Sequence, residues 1–439
     1  MFGTDGIRGF PNKGLFVEKK LIKIGYSFGI FLKLTDSKIS NIFLSKDTRE
    51  SSDFIEKCLI TGINKSGLNS IKLGILPTSS LSLFTNKYPY SAGIMITASH
   101  NSSEYNGIKF INTNGEKISI KDEKKIEKIF RGRINIKRVK TRNINYKDSL
   151  SEYVNEIVSK ISDLKVSKLA YCVDVSNGAS YLATREILKR LKQNFSIISA
   201  RPDGSNINKK CGVEHLEKIG NYVRKYNLDF GVSIDGDADR IVFVNKRGKL
   251  IEGDKIIAFI AESTLKKESK LTTTIMTNSI IERRLSSKRI KVLRTDVGDK
   301  NVYQMMKEVD SGFGGENSGH YIIRDFINTS DANLTLIYVL HLLRNKDKDF
   351  EFIDKMKLNP NVLKSYVVKN KKPFKDFSKL NSFIRAFNEN FGTNGYLNIR
   401  YSGTENKIRI LIQGLKKKET ENEIKKFEEI IKVLNWKEN

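Results

Sequence analysis

Asp235, Asp237 and Asp239 stand at alternate positions with only Gly236 and Ala238 between them. Carboxylates spaced in this way repel one another unless a cation or several donors hold them. On a curled loop they can converge on one hard cation. An EF-hand calcium loop needs glycine at its sixth position and glutamate at its twelfth. Here those positions hold Arg240 and Lys246, which excludes that route. Magnesium, taken by a few carboxylates together with a phosphate oxygen, suits the set. The bland alternative is an acidic turn that caps a helix.

A second group is Thr97-Ala98-Ser99-His100-Asn101, where small and polar residues follow the apolar run 92–96. A serine at a strand's carboxyl end lies where open α/β sheets put their ligands. Arg400, Ser402, Gly403, Thr404 and Arg409 form a third group. The arginines are forked donors suited to phosphate, the hydroxyls add donors, and glycine lets backbone amides approach an anion. Taken alone, Ser402 to Glu405 is an ordinary turn. No G-x-x-x-x-G-K-[ST] phosphate loop occurs. Glu316, Ser318 and His320 bring an acid, a hydroxyl and an imidazole together, a set suited to vicinal sugar hydroxyls. Of the four histidines, His100 and His320 fall inside these groups, whereas His215 and His341 read as surface and structural. Arg8, in Thr4 to Gly9, and Lys46-Asp47-Thr48-Arg49 read equally well as ion pairs that fix loops. Lys109 is a lone lysine on a strand.

The elements that would carry these groups alternate. Strands are read at 42–44, 71–76 and 92–96, with a helix at 53–65. A charge-dense stretch from 116 to 150 reads as a surface helix and a polar connection. A second β-α-β series has strands at 169–175, 195–199 and 230–234 and helices at 180–192 and 214–226. A third begins with a helix near Asp254. Strands at 273–276 and 291–293 and helices at 299–307 and 330–343 follow. The tail differs, with strands at 365–368, 395–400 and 407–413 and a closing helix at 418–434. This alternation predicts three related α/β domains with mixed sheets, over 1–150, 151–250 and 251–355, and a smaller α+β domain over 356–439.

The 439 residues suffice for several cores. The net charge of +28 comes from 78 basic against 50 acidic residues. The basic residues are spread along the chain and accompany no nucleic-acid-binding signature, so no nucleic-acid partner is expected. A basic field would still attract an anionic metabolite. No apolar run reaches the length of a membrane span and the opening residues resemble no secretory signal, so no membrane partner and a cytoplasmic location are expected. Three scattered cysteines make neither a disulfide framework nor a zinc site.

Taken in order, Phe2 to Gly9, Thr97 to Asn101, Asp235 to Arg240, Gly315 to His320 and Arg400 to Glu405 resemble the motifs of the α-D-phosphohexomutase superfamily. The resemblance runs over essentially the whole chain. The opening, Val297-Gly298-Asp299 and the G-E-N-S-G-H form favour the phosphoglucosamine mutase branch over the glucose and mannose branches. The resemblance implies a heart-shaped, four-domain isomerase that interconverts glucosamine 6-phosphate and glucosamine 1-phosphate and so supplies amino-sugar precursors. It implies a phosphoserine at Ser99 and one Mg²⁺ held by Ser99, Asp235, Asp237 and Asp239, with a sugar bisphosphate as activator. Lys109, Arg8 and His100 would then serve catalysis. Arg240, Glu316, Ser318 and His320 would meet the sugar, and Arg400, Ser402, Gly403, Thr404 and Arg409 would hold the other phosphate. The expected assembly is a monomer or homodimer. Ser102 and Asn406 stand where the family usually has proline, which loosens loops more than it alters chemistry.

Overall fold

The computed structural model describes residues 1–3, 5–133, 140–345, 349–368, 371, 373–402 and 406–433. Four sheets follow one another along the chain. The first has six strands in the order Ile7–Gly9, Asn106–Ile111, Ser91–Ile96, Asn41–Lys46, Asn69–Ile75, Asn143–Asn145. The last four pair in parallel and the first two join antiparallel. Alternate side chains along its central strands enter different cores, as a period of two requires. Ile42, Leu44, Ile94 and Ile96 pack with the helices Glu18–Thr35 and Ser52–Lys65, whereas Phe43 and Met95 pack with the helix Thr78–Lys87. Both faces are therefore covered, which is why Ser91–Ile96 reads as an unbroken apolar run.

The second sheet runs Leu250–Ile251, Ile241–Asn245, Phe230–Ile234, Tyr171–Asp174, Phe195–Ile198. Ile234 pairs with Ile241, so Asp235 to Arg240 is the tight connection of a hairpin. The third runs Lys291–Thr295, Lys270–Thr274, Phe313–Gly315, Tyr321–Ile323. Gly315 pairs with Tyr321, which makes Glu316 to His320 a hairpin connection as well. The third sheet's central strand thus lies earlier than the expected 273–276. One apolar core runs from the first sheet's Thr78–Lys87 face through the second and third sheets to the helix Ala332–Asn345.

The fourth sheet is antiparallel, in the order Asn361–Val367, Lys407–Gln413, Tyr396–Tyr401, with a core of its own. The helices Ser378–Phe391 and Lys417–Val433 cover it. The architecture is therefore α/β with mixed sheets and a smaller α+β unit at the end. Cys58, Cys172 and Cys211 are buried and unbonded. Among the described residues no helix is long and apolar enough to cross a membrane.

Candidate active site

Ser99 ends the run that begins with the strand Ser91–Ile96 and adopts a left-handed backbone, φ +53°. Non-glycine residues rarely take that conformation without a reason. Its N–H donates to Thr97 Oγ1 at 2.8 Å, and the Thr97 hydroxyl donates to Asp47 at 2.6 Å. The Ser99 hydroxyl donates to Asp235 Oδ2 at 2.6 Å, across from one sheet to the next. His100 Nδ1 lies 3.4 Å from the same hydroxyl. Burial and the nearby charges of Arg240 and Arg8 push the His100 imidazole down to about 4, so it is neutral near pH 7. Arg8 donates to Asn101 Oδ1 at 3.2 Å, which sets it beside the serine loop.

The hairpin geometry gathers Asp235, Asp237 and Asp239, whose carboxylate oxygens come within 4.8 Å of one another. All three are fully buried. Asp239 Oδ2 and Asp237 Oδ2 each accept from Lys109 Nζ, at 2.8 and 2.7 Å, and Thr78 donates to Asp237 Oδ2. Burial opposes a charge on Lys109, yet Asp237, Asp239 and Asp5 raise its pKa well above the usual lysine value. Burial also works against an ionised Asp239, but Lys109, His320 and Lys117 hold it well below the carboxylate range. Asp235 lacks a lysine partner. Burial first, then the charges of Asp237 and Asp239, push it up to about 8. Among the described residues Asp237 Oδ1 is buried with no hydrogen-bond partner. A carboxylate oxygen without a partner inside such a cluster suits a hard cation, so the residues present fit magnesium.

His320 joins the Glu316 to His320 hairpin connection to this cluster. Its Nδ1 lies 2.9 Å from Glu316 Oε2 and its Nε2 3.1 Å from Asp239 Oδ1. Burial disfavours a charged ring here, but Asp239 and Glu316 raise His320 to about 10, so it is an imidazolium that donates through both nitrogens. Arg240 Nε, 3.3 Å from Nε2, is then a second cation drawn in by the same carboxylates rather than a donor to the ring. Glu316 also accepts from Gly298 N at 2.9 Å. Glu316 and His320 are buried, while Ser318 is exposed. In the fourth sheet Arg400 and Arg409 face each other across adjacent strands. Burial and the charge of Arg409 both make the Arg400 guanidinium a less comfortable cation than usual. Two guanidinium groups side by side invite an anion. Ser402 is buried beside them and its N–H donates to Lys407 O at 2.8 Å. Gly403, Thr404 and Glu405 lie outside the described residues, as do Thr4, Lys137 and Arg138.

Comparison with known proteins shows the family. Phosphoglucomutase/phosphomannomutase α/β/α domains I, II and III match residues 1–136, 151–248 and 252–356, and the C-terminal domain of the same family matches 363–430. The chain belongs to the phosphoglucomutase/phosphomannomutase family. A phosphoglucosamine mutase of Aliarcobacter butzleri is 34% identical over 435 residues, 96% of this chain and 97% of that protein. One from Clostridium botulinum is 37% identical over 434 residues, 95% of this chain and 96% of that protein. A family member from Burkholderia thailandensis shares the fold with a TM-score of 0.84 at 19% identity, covering 100% of this chain and 98% of its own. The N-acetylphosphoglucosamine mutase of Aspergillus fumigatus, solved with GlcNAc-6P and magnesium, has a TM-score of 0.66 at 16% identity over 98% of this chain and 95% of that one.

Within this family member the structure brings Ser99, His100, Lys109, the three aspartates, Arg240, Glu316 and His320 into one polar cluster. Several participants were not singled out by sequence. Lys117 Nζ contacts Asp299 at 2.7 Å, Asp5 at 3.1 Å and Asp239 at 3.5 Å. Asn208 reaches the serine loop from the second sheet's side. None carries a local signature; each is an isolated polar residue whose partners arrive only through folding. The one available hint was the count of acids, since so many converging carboxylates need more cations than Lys109.

Proposed function

We propose that this phosphohexomutase interconverts glucosamine 6-phosphate and glucosamine 1-phosphate through a phosphorylated Ser99. One observation carries the mechanism: the Ser99 hydroxyl sits 2.6 Å from Asp235 in a buried triad that still has an orphaned oxygen. The choice of sugar rests on the relatives named phosphoglucosamine mutase, which match nearly the whole chain.

Asp235, Asp237 and Asp239, with the phosphate on Ser99, would hold the magnesium ion. Bound there, it neutralises charge that builds on the transferring phosphoryl group. The phosphoryl group leaves Ser99 Oγ as its bond to the substrate's free hydroxyl forms, which gives a sugar bisphosphate. His100 stands close enough to receive the hydroxyl's proton. Arg8 lies against the serine loop and Lys109 against the carboxylate cluster, and their positive charge stabilises the transferring group by placement rather than by covalent chemistry. The bisphosphate then turns over, and Ser99 Oγ takes back the other phosphoryl group. Glu316, Ser318 and His320 meet the sugar in either orientation, with Arg240 beside them. Arg400, Arg409 and Ser402, with Gly403 and Thr404, clamp the phosphate that is not reacting. A single clamp serves both half-reactions because the intermediate reorients. A trace of sugar bisphosphate restores the phosphoserine whenever it is lost. The four units bounded near 150, 250 and 355 each supply one part of this cleft.

The test is product identity from glucosamine 6-phosphate with a trace of sugar bisphosphate and Mg²⁺. Glucosamine 1-phosphate is expected, together with a protein fraction heavier by one phosphoryl group that Ser99→Ala abolishes along with turnover. A clear preference for glucose 1-phosphate would overturn the choice of sugar. Stoichiometric release of inorganic phosphate would make the chain a phosphatase.

A further inference from the structure

The Ser99 peptide is held at both ends by a buried arginine. Arg49 follows the strand Asn41–Lys46, and its side chain is completely enclosed. A guanidinium has five N–H donors, and all five are used. Nε donates to Asp47 Oδ2 at 2.9 Å. Nη2 donates to the carbonyls of Ser99 and Asn101 at 3.1 and 2.8 Å. Nη1 donates to the carbonyls of Ser102 and Tyr105, the latter at 3.0 Å. Asp47, fixed by that ion pair, accepts from the Thr97 hydroxyl, which in turn accepts from Ser99 N–H. One arginine thus ties down the C=O of Ser99 directly and its N–H through two relays. Asn208 Nδ2 adds a second hold on the carbonyls of Ser99 and Asn101, at 2.8 and 2.9 Å.

This arrangement exceeds what packing needs. A buried aliphatic side chain would fill the space, but four loop carbonyls would each lose a donor, which leaves those of Ser99 and Asn101 to Asn208 alone. Ser99 is also in the left-handed conformation, which persists in a non-glycine residue only where the surroundings over-determine it. The hydroxyl's aim at Asp235 depends on that backbone.

We infer that Arg49 is a positioning residue for phosphoryl transfer. It holds the serine loop in the strained conformation that presents Ser99 Oγ to the carboxylate cluster, with Asn208 as a second, weaker hold. The inference rests on Ser99 being the phosphoryl carrier. Among the described residues Arg49 bonds to none of those assigned to the sugar or to the distal phosphate, so its loss acts on turnover rather than on binding. Lysine at this position can keep the charge beside Asp47 but cannot reach four carbonyls in one plane.

Kinetics of Arg49→Lys, Arg49→Ala and Asn208→Ala test this against the parent chain, with thermal midpoints recorded for each. Misplacing a reacting atom by an ångström costs roughly 100-fold, so Arg49→Lys is expected to lose about that much in kcat, with KM for glucosamine 6-phosphate within about threefold. Asn208→Ala is expected to lose roughly tenfold in kcat, again with little change in KM. Added guanidinium ion should restore part of the kcat of Arg49→Ala and none of that of Ser99→Ala, a response that a merely destabilised fold would not give. Folded Arg49→Lys and Asn208→Ala with parental kcat would overturn the inference. A rise in KM that accounts for the whole loss would do the same. If the Arg49 variants fail to fold, Asn208→Ala decides alone. Failure of the parent to turn over substrate, or activity surviving in Ser99→Ala, would instead strike the assignment of Ser99.

Discussion

At the residue scale the site is a balance of buried charge. Lys109 and Lys117 meet the charge of Asp5, Asp237, Asp239 and Asp299, and His320 adds its own between Glu316 and Asp239. What remains short of a counter-charge is Asp235, pushed up to about 8 mainly by burial, and the unpartnered Asp237 Oδ1. A group that binds the folded chain alone stabilises it by roughly 2.7 kcal/mol at 100 times its dissociation constant. Saturating Mg²⁺ should therefore raise the thermal midpoint of the parent, and a chelator should remove both that gain and the activity. Asp237→Asn, which takes a charge from the triad, should show neither the gain nor the activity at the same Mg²⁺ concentration. Equal midpoints for the parent with and without Mg²⁺ would argue that the triad serves Lys109 alone.

At the element scale, two hairpin connections carry most of the chemistry, and each works because a backbone passes close by. Gly319 sits at φ +103°, and a Cβ there would lie 2.6 Å from the Ile241 carbonyl. Gly319→Ala should cost about 2–4 kcal/mol in unfolding free energy and part the Glu316 to His320 connection from the aspartate hairpin. Gly312→Ala, at a site with nothing within 4 Å of the added carbon, is the neutral control. Equal urea midpoints for the two variants would contradict this reading. Asp254, in the first turn of the helix Gly253–Thr264, titrates at about 6 because burial disfavours its charge more than Asn278 N–H favours it. Its folded pKa is raised above the unfolded 3.8, so its favourable contribution is complete below pH 3.8 and is lost as pH rises through 6. The loss amounts to about 3 kcal/mol at 1.36 kcal/mol per pKa unit. Asp254→Asn should then gain on the parent between pH 4 and pH 7; a gap in midpoints that stays constant over that range would exclude the effect. The same scale shows what the sequence made legible. Strands such as Ser91–Ile96 and Phe230–Ile234 are short apolar runs closed by polar residues, and adjacent motif residues necessarily arrive together. The helix Glu18–Thr35 passed unread, because Gly25 and Gly29 interrupt its pattern. Gly25 lies against a neighbouring helix, where an added Cβ would meet the Leu59 carbonyl at 2.3 Å. The strand Ile241–Asn245 and the helix Ser378–Phe391 were likewise passed over. Arg49 drew notice only as half of a local ion pair, since its four carbonyl partners lie 50 to 56 residues away.

At the scale of the whole molecule, the cleft depends on units that share little chain but meet through buried charge. Lys117, which follows the strand Asn106–Ile111, contacts Asp5 near the N-terminus, Asp239 in the second sheet's hairpin and Asp299 at the start of a helix that packs on the third sheet. Burial opposes its charge, but Asp299 and Asp5 keep its pKa above the ordinary lysine value. One ammonium thus fastens three regions beside the aspartate triad. Tyr396 OH donates to Ile275 O at 3.0 Å and Ser279 N–H to Gln413 Oε1 at 2.7 Å, which joins the fourth sheet to the third by neutral bonds instead. Removing one partner from a buried ion pair costs about 3–5 kcal/mol, because the charge left behind has no water. Lys117→Met should therefore lower the thermal midpoint sharply and weaken activity. The Lys117→Met/Asp299→Asn double variant should recover part of the stability, because it also deletes a stranded carboxylate. A coupling energy above about 1 kcal/mol in that cycle is expected for groups in direct contact. Additive losses would instead mean that Lys117 serves Asp5 and Asp239 and that the third region is held by other means.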